Sequence, residues 1–358
     1  MQTGLPTRII INSARKQTGI GNYVTDLLGF NKLETEVYSF ISNLRDKPED
    51  YVGKKITGKR FPTNHGWYLN VKFQKQIYGK IFDNLRRRST TENLIFHYSD
   101  YSIRNFTNPE NSCLTLHDFF GILSKYPYKY GNFITEMHKQ KKLSEFVDFP
   151  YIISDSKKTT ADAEEYGFTH EPVVIYPPLR EHIYKLTNKE ELRKKWNLPL
   201  DKVIVLSISS DDPRKNLIVV KEVAKALNEK FRVVRVGSQI PNAINFQNLT
   251  PEEVNEMYNL SDILLFPTLD EGFGYPLIEA MAIGLPVVTS DIEITREVCG
   301  NSAIYVKPDY ENSIVGIRQA ISEREVLQKK ELSRSEVFSR VIFHSKLEAF
   351  YRNMLEKA

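Results

Sequence analysis

Glu271-Gly-Phe-Gly-Tyr-Pro-Leu-Ile-Glu279 sets two carboxylates eight residues apart, with a Gly-Phe-Gly turn directly behind the first. Upstream, Asp262-Ile-Leu-Leu-Phe-Pro267 is a short apolar run closed by proline, the pattern of a buried parallel strand. Downstream, Pro276 to Ile283 reads as a helix, with Pro276 in its first turn and Gly284 near its C-cap. The order is therefore strand, glycine loop, helix. A helix N-terminus has backbone N–H groups without intrahelical partners and a positive partial charge, which suits a phosphate or a sugar hydroxyl. Glu271 falls in the loop at the strand's C-terminal end, where open α/β sheets bind ligands, and Glu279 falls inside the helix. Two carboxylates lining one cleft can each bind a pair of vicinal hydroxyls, and nucleoside sugars carry such pairs.

The same alternation extends in both directions. In the first half, Arg8–Asn12, Leu94–His97, Cys113–His117, Tyr151–Ser154 and Val173–Tyr176 read as short strands, with helices expected over Tyr23–Phe30 and Lys157–Tyr166, the latter stopped by Gly167. In the second half, strands at Val203–Ser207, Phe231–Val236, Ile263 and Pro286–Thr289 alternate with helices at Leu217–Asn228 and Pro251–Asn259. Alternation of this kind implies parallel sheets with right-handed crossovers. With 358 residues, two domains are expected. The spacing puts an N-terminal Rossmann-like domain over 1–180, a C-terminal Rossmann-like domain over 181–340 and a last helix over 341–358. The sheets would face a central cleft, and the last helix, apolar at Leu347, Phe350, Tyr351 and Met354, can cross back to the first domain.

Composition narrows the class. At 41% hydrophobic and 26% charged residues the chain reads as a folded soluble protein. Its two cysteines, Cys113 and Cys299, lie in apolar runs, which fits buried thiols in a reducing compartment. No apolar run approaches a membrane span, and the first residues lack a signal-peptide layout, so a cytoplasmic protein is expected. Residues 1–150 hold 22 Lys+Arg against 14 Asp+Glu, a net +8 within a chain of net +4. A basic first half suits an anionic acceptor, an anionic membrane face or a nucleic acid. Between Trp67 and Arg88, apolar residues at Trp67, Val71, Tyr78, Ile81, Phe82 and Leu85 recur at roughly helical spacing beside Lys72, Lys75, Lys80 and Arg86-Arg-Arg88. Such a helix can lie on an anionic membrane or pack on its own domain with a wet basic face.

Three further constellations carry chemistry. Asp212-Pro-Arg-Lys-Asn216 puts two adjacent cations after a strand and before a helix, a diphosphate site in which Arg214 and Lys215 can meet leaving-group charge. His117-Asp118 ends a first-half strand; the His can donate to a hydroxyl or a scissile oxygen, and the Asp can accept from a hydroxyl. Gly19-Ile-Gly21 would let a phosphate or an acceptor approach the first helix closely. No His/Cys cluster with metal-ligand spacing is evident, so no metal and no cofactor are expected.

Taken together, Cys113-Leu-Thr-Leu-His-Asp118, Ile153-Ser-Asp-Ser156, Arg214-Lys-Asn216, Ser261–Pro267, Asp270–Val288 and Glu297-Val-Cys-Gly300 resemble the retaining nucleotide-sugar glycosyltransferases of family four, which have the two-domain GT-B fold. The resemblance runs from about Arg8 to Met354 and rests on motif order as well as content. It implies transfer of a hexose from a UDP- or GDP-sugar to a glycan, lipid-linked or other acceptor, without a metal. It also implies roles. Arg214 and Lys215 would hold the diphosphate, and Glu271 the transferred sugar, with backbone N–H groups of the Gly272-Phe273-Gly274 turn. Glu279 would hold the ribose. His117 would contact the sugar or the reacting oxygen, Asp118 would join the donor site, and Gly19 and Gly21 would approach the diphosphate or the acceptor. His117, Arg214, Lys215 and Glu271 form the implied catalytic set. There are departures: Ser209-Ser210 stands where the family usually has glycine, and Pro177-Pro178 replaces Asn-Gly. An epimerase of the same fold and a non-catalytic nucleic-acid-binding protein are the rival readings; the intact Arg-Lys and Glu-x7-Glu motifs argue against both.

Overall fold

The computed structural model describes residues 7–12, 18–30, 32–41, 51–57, 79–101, 109–120, 141, 143–227 and 229–357. Strands β1 (Thr7–Asn12), β2 (Glu34–Ile41), β3 (Lys54–Thr57), β4 (Leu94–Tyr98), β5 (Ser112–Leu116), β6 (Ile152–Ser154) and β7 (Val173–Val174) form one parallel sheet in the order β3-β2-β1-β4-β5-β6-β7. Strands β8 (Val203–Ser209), β9 (Phe231–Gly237), β10 (Ile244–Phe246), β11 (Ile263–Phe266), β12 (Val287–Ser290) and β13 (Ile304–Val306) form a second, in the order β10-β9-β8-β11-β12-β13. Both orders reverse direction once, at β1/β4 and at β8/β11. These are the switch points of Rossmann-like sheets, and the strand ends there open a crevice. The register fixes both junctions: Ile9 pairs with Phe96, and Val205 pairs with Ile263.

Each sheet is covered on both faces, so its central strands turn apolar side chains toward both. On β1, Ile9 and Ile11 enter one cluster with Phe96 and Leu114, while Ile10 faces the opposite one. On β8, Ile204 and Leu206 face one core and Val205 the other. The period of two decides which face each side chain meets.

The helix Arg340–Lys357 completes the first sheet rather than the second. Phe343, Leu347, Phe350, Tyr351 and Met354, spaced for one helical face, pack with Ile10, Tyr23, Val24 and Leu27. At about 2 kcal/mol per buried large apolar side chain this is a substantial share of that core. Arg340 reinforces the junction with an ion pair to Asp26 at 2.8 Å.

Several element ends differ from the sequence reading. The first helix runs Gly19–Leu28 rather than from Tyr23, because the Thr18 side chain caps it by accepting the Gly21 N–H at 3.0 Å. Gly19 and Gly21 therefore lie in a helical turn, not in a loop ahead of it. The helix Pro251–Leu260 starts as expected, in a capping box: Thr250 N–H donates to Glu253 Oε2 at 2.7 Å, and Glu253 N–H donates to Thr250 Oγ1 at 3.2 Å. The last helix begins at Arg340, one residue before the expected 341.

Of the basic stretch, Trp67, Val71, Lys72, Lys75 and Tyr78 lie outside the described residues. Residues 79–89 are helical, with Phe82 and Leu85 in the first-domain core. Arg86 and Arg87 are exposed, whereas Arg88 pairs with Glu36 and Glu92, each at 2.7 Å.

Candidate functional site

A cleft of about 610 Å³ opens where the C-terminal ends of the two sheets meet. Thr18, Gly19, Ile20, His117, Asp118, Asp155 and Arg180 line one wall. Ser209, Ser210, Arg214, Lys215, Tyr258, Glu271, Gly272, Phe273, Gly274 and Glu279 line the other. Apart from Gly21, the cleft thus gathers His117, Asp118, Arg214, Lys215, Glu271, Gly272, Phe273, Gly274, Glu279 and Gly19, the residues to which the sequence gave a site role. Gly21 is buried, and its N–H is spent on the Thr18 cap.

The second-domain wall is set by two short connections. After β8, Asp212 accepts the Arg214 N–H at 3.1 Å and starts the tight turn Pro213–Lys215. Asn216 ends that turn in the left-handed region, at φ 53, and its amide donates to the Pro308 carbonyl at 2.9 Å. Arg214 and Lys215 are thereby fixed on one turn. After β11, Leu269 N–H donates to the Arg214 carbonyl at 2.7 Å and stitches the glycine loop to the cation turn, with Thr268 Oγ1 3.0 Å from the same carbonyl.

Glu271, 5% exposed, receives Lys215 Nζ on Oε1, Thr268 Oγ1 on the same oxygen at 3.0 Å and Arg214 Nη1 on Oε2 at 3.3 Å. The helix Tyr275–Ala282 then starts at Gly274, at φ 99, without a side-chain cap. The Phe273 side chain is buried against Tyr176 and Phe338, so the Gly-Phe-Gly turn offers the cleft backbone groups rather than a ring.

Glu279 is 2% exposed, which a helix position alone would not foretell. Tyr258 OH donates to its Oε2 at 2.6 Å, and Arg180 Nη1 lies 3.1 Å from Oε1. Arg180 also stacks on the Tyr275 ring, with its guanidinium carbon 4.3 Å from the centroid.

The Ser209-Ser210 departure has a partner beneath it. Arg235, fully buried on β9, donates Nη2 to the carbonyls of Ser209 (2.5 Å) and Ser210 (3.4 Å), and Nη1 to those of Ser207 (3.2 Å) and Val236 (2.8 Å). Burial pulls the Arg235 pKa down to about 10, still a cation at neutral pH. A trans peptide holds C=O and N–H on opposite sides, so carbonyls drawn down to Arg235 turn the N–H groups of Ser210 and Asp211 the other way.

The first-domain wall is wired differently. His117 Nε2 lies 2.9 Å from the Ser99 carbonyl, which can only accept, so Nε2 carries a proton. Its Nδ1 lies 2.8 Å from Asp155 Oδ2. Both ring nitrogens are thus engaged inside the domain. Burial opposes charge on His117, but the Asp155 carboxylate outweighs it and raises the imidazole pKa; burial raises that of Asp155. The pair holds a proton in common. Asp118 Oδ1 accepts the Phe120 N–H at 3.1 Å, which bends the chain after β5.

Behind this wall runs a buried polar chain. Arg8 Nη1 donates to Tyr351 OH at 3.2 Å, and that hydroxyl lies 2.6 Å from His97 Nδ1. His97 Nε2 lies 2.7 Å from Thr115 Oγ1, and Thr115 lies 3.2 Å from Tyr23 OH. The Tyr23 ring sits edge-on to His117 at 4.9 Å.

The walls touch. A Cβ on Gly272 would overlap the His117 carbonyl oxygen and come within 3.1 Å of Asp118 Cβ. Lys158 pairs with Asp270 at 3.4 Å, and the Glu297 carboxylate accepts the N–H groups of Lys157 and Lys158, at 2.6 and 3.1 Å, at the start of the helix Lys157–Tyr166. Among the described residues, no group of three or more His, Cys, Asp or Glu side chains could hold a metal ion. None of the described helices is long and apolar enough to cross a membrane.

Thr18, Asp155, Arg180 and Tyr258 are cleft residues to which sequence reasoning gave no role, and Phe120 lies against Arg214 behind them. Only Asp155 carried a signal, as a carboxylate at a strand's end in Ile153-Ser-Asp-Ser156.

Two Rossmann-like sheets opposed across such a cleft, with the last helix returning to the first sheet, define the GT-B fold. Sucrose-phosphate synthase from Thermosynechococcus elongatus superposes with a TM-score of 0.75 at 16% identity, covering 99% of this chain and all of that one. Anabaena Alr3699/HepE, solved in complex with UDP, gives 0.74 at 13% identity, covering 97% of this chain and 100% of that one. Residues 188–334 match the family described as Glycosyl transferases group 1, and the domain they form belongs to it. The O-antigen chain mannosyltransferase RfbU of Salmonella typhimurium is 27% identical over 222 residues, 57% of this chain and 58% of that protein. The chain thus spans little more than half the length of this relative.

Proposed function

We propose that this chain is a glycosyltransferase that moves a hexose from a nucleotide diphosphate sugar to a glycan or lipid-linked acceptor, with retention at the anomeric carbon and without a metal. The observation that carries the reading is the ion cluster of Arg214, Lys215 and Glu271 beside the uncapped helix at Gly274, with Glu279 in the same cleft. A diphosphate entering this wall can take Lys215 and Arg214 from Glu271. Glu271 is then freed to accept from sugar hydroxyls, and Glu279 can accept from a ribose. The two cations meet the charge that grows on the leaving diphosphate, where a preorganised donor acts most strongly. Retention would proceed by departure and attack on one face of the sugar, with a diphosphate oxygen assisting the acceptor hydroxyl. The mannosyltransferase relative makes mannose the first sugar to test.

A panel of UDP- and GDP-sugars, GDP-mannose included, tests the reading through nucleotide released with and without EDTA. Release from at least one donor that survives the chelator is expected. No release from any, or release restored only by Mg²⁺ or Mn²⁺, overturns the donor or the metal-free part respectively. Peripheral contact with an anionic membrane would rest on the exposed Arg86 and Arg87 and on residues 67–78, since Arg88 is held by Glu36 and Glu92. Binding to anionic but not neutral liposomes, released by salt, is the expected outcome; equal, negligible binding to both points to a soluble acceptor.

A further inference from the structure

Phe120 belongs to the first domain, yet its ring lies under a side chain of the second. The Arg214 guanidinium carbon is 3.8 Å from the ring centroid, closer than the other cation on that ring, Lys158 at 5.7 Å. Phe120 is 3% exposed, although it sits on a connection rather than in a strand. Its ring reaches across because Asp118 accepts its backbone N–H and bends the chain there. Arg214 is then held by Glu271 on one edge and by the aromatic face below. An aromatic face supports a cation without neutralising it, so the guanidinium keeps its charge and its N–H groups for an anion.

We propose that Phe120 is a positioning residue. It holds Arg214 flat and oriented for the diphosphate, and it does so only while the two walls are in contact. This rests on the glycosyltransferase reading of Arg214. The contact crosses the cleft beside the Lys158–Asp270 pair and the close approach of Gly272 to His117. The diphosphate site is therefore completed by a residue of the first domain, with Arg214 held in register with Lys215 where the walls touch.

The test compares calorimetric binding of UDP and GDP with that of UMP and GMP. It uses the whole chain, as wild type, Phe120→Leu, Phe120→Tyr and Arg214→Ala. Phe120→Leu keeps apolar bulk and removes the π face, and should weaken whichever diphosphate binds by roughly tenfold. Monophosphate binding should not change, and Phe120→Tyr should restore the wild-type value. Equal losses for mono- and diphosphate, or equal losses in the Leu and Tyr variants, mean that Phe120 acts by packing alone and overturn the proposal. If Arg214→Ala weakens diphosphate selectively and Phe120→Leu does not, only the role of Phe120 fails. If Arg214→Ala has no selective effect, the diphosphate reading itself fails.

Discussion

The two walls of the cleft are built on opposite plans. On the second-domain wall, Arg214, Lys215 and Glu271 come from connections of a few residues and bind one another at the cleft surface, where an incoming ligand can exchange them. On the first-domain wall, His117 and Asp155 bind each other and the Ser99 carbonyl, backed by the chain from Tyr23 to Arg8. The two pairs are equally buried, 13% and 6% exposed for His117 and Asp155 as for Lys215 and Glu271; what differs is the further partner, a backbone carbonyl for His117 and a second cation for Glu271. The His117 carbonyl is the edge that Gly272 meets, and both ring nitrogens of His117 are engaged within the first domain.

The largest effect should come from the exchangeable wall. Lys215→Ala removes a preorganised charge donor and should lower turnover by about 10²–10³, measured as nucleotide release at saturating donor. Near-normal turnover would dissolve the contrast between the walls.

Next comes the seam. Gly272→Ala places a methyl group against the His117 carbonyl and holds the walls apart. A displacement of about 1 Å in a reacting geometry can cost roughly 10² in rate, so turnover should fall by about that factor while the melting temperature changes little. Unchanged turnover would mean that catalysis does not need this approach.

The smallest effect on rate, but the most telling for the first-domain wall, is expected from Asp155→Asn. The His117 pKa is raised in the folded protein by the carboxylate. Stability from this source is therefore fully present below the ordinary imidazole range, near 6.5, and is lost as pH rises through the raised value. Melting curves across pH 5–9 should show wild type above the variant at low pH, with the gap closing as pH rises. A gap that widens with pH would reverse the assigned proton.

The second-domain wall was legible because its parts are neighbours in sequence. Asp262–Pro267 and Glu271–Glu279 read directly as strand, loop and helix, and Asp212–Asn216 as two cations between a strand and a helix. The first-domain wall was not, because it is assembled from Tyr23, Ser99, His117, Phe120 and Asp155, which meet only in the folded sheet. His117-Asp118 was visible as a pair, yet its working partner is Asp155, 38 residues on. The strand Glu34–Ile41 was missed because Glu34-Thr-Glu36 is polar. Ile244–Phe246 was missed because it is a three-residue edge strand with no alternation to detect. Arg235 carries no signal within the strand read at Phe231–Val236, because the carbonyls of Ser207 and Ser209 that it serves lie one strand away.

The return of the helix Arg340–Lys357 to the first sheet has a consequence for biosynthesis. A ribosome delivers the first sheet early, but Ile10, Tyr23, Val24 and Leu27 have no cover from this helix until residues 340–357 have been made. The second sheet, by contrast, has all its strands by Val306. The nascent chain therefore carries an uncapped apolar face through most of its synthesis, and the domain translated first is the domain finished last.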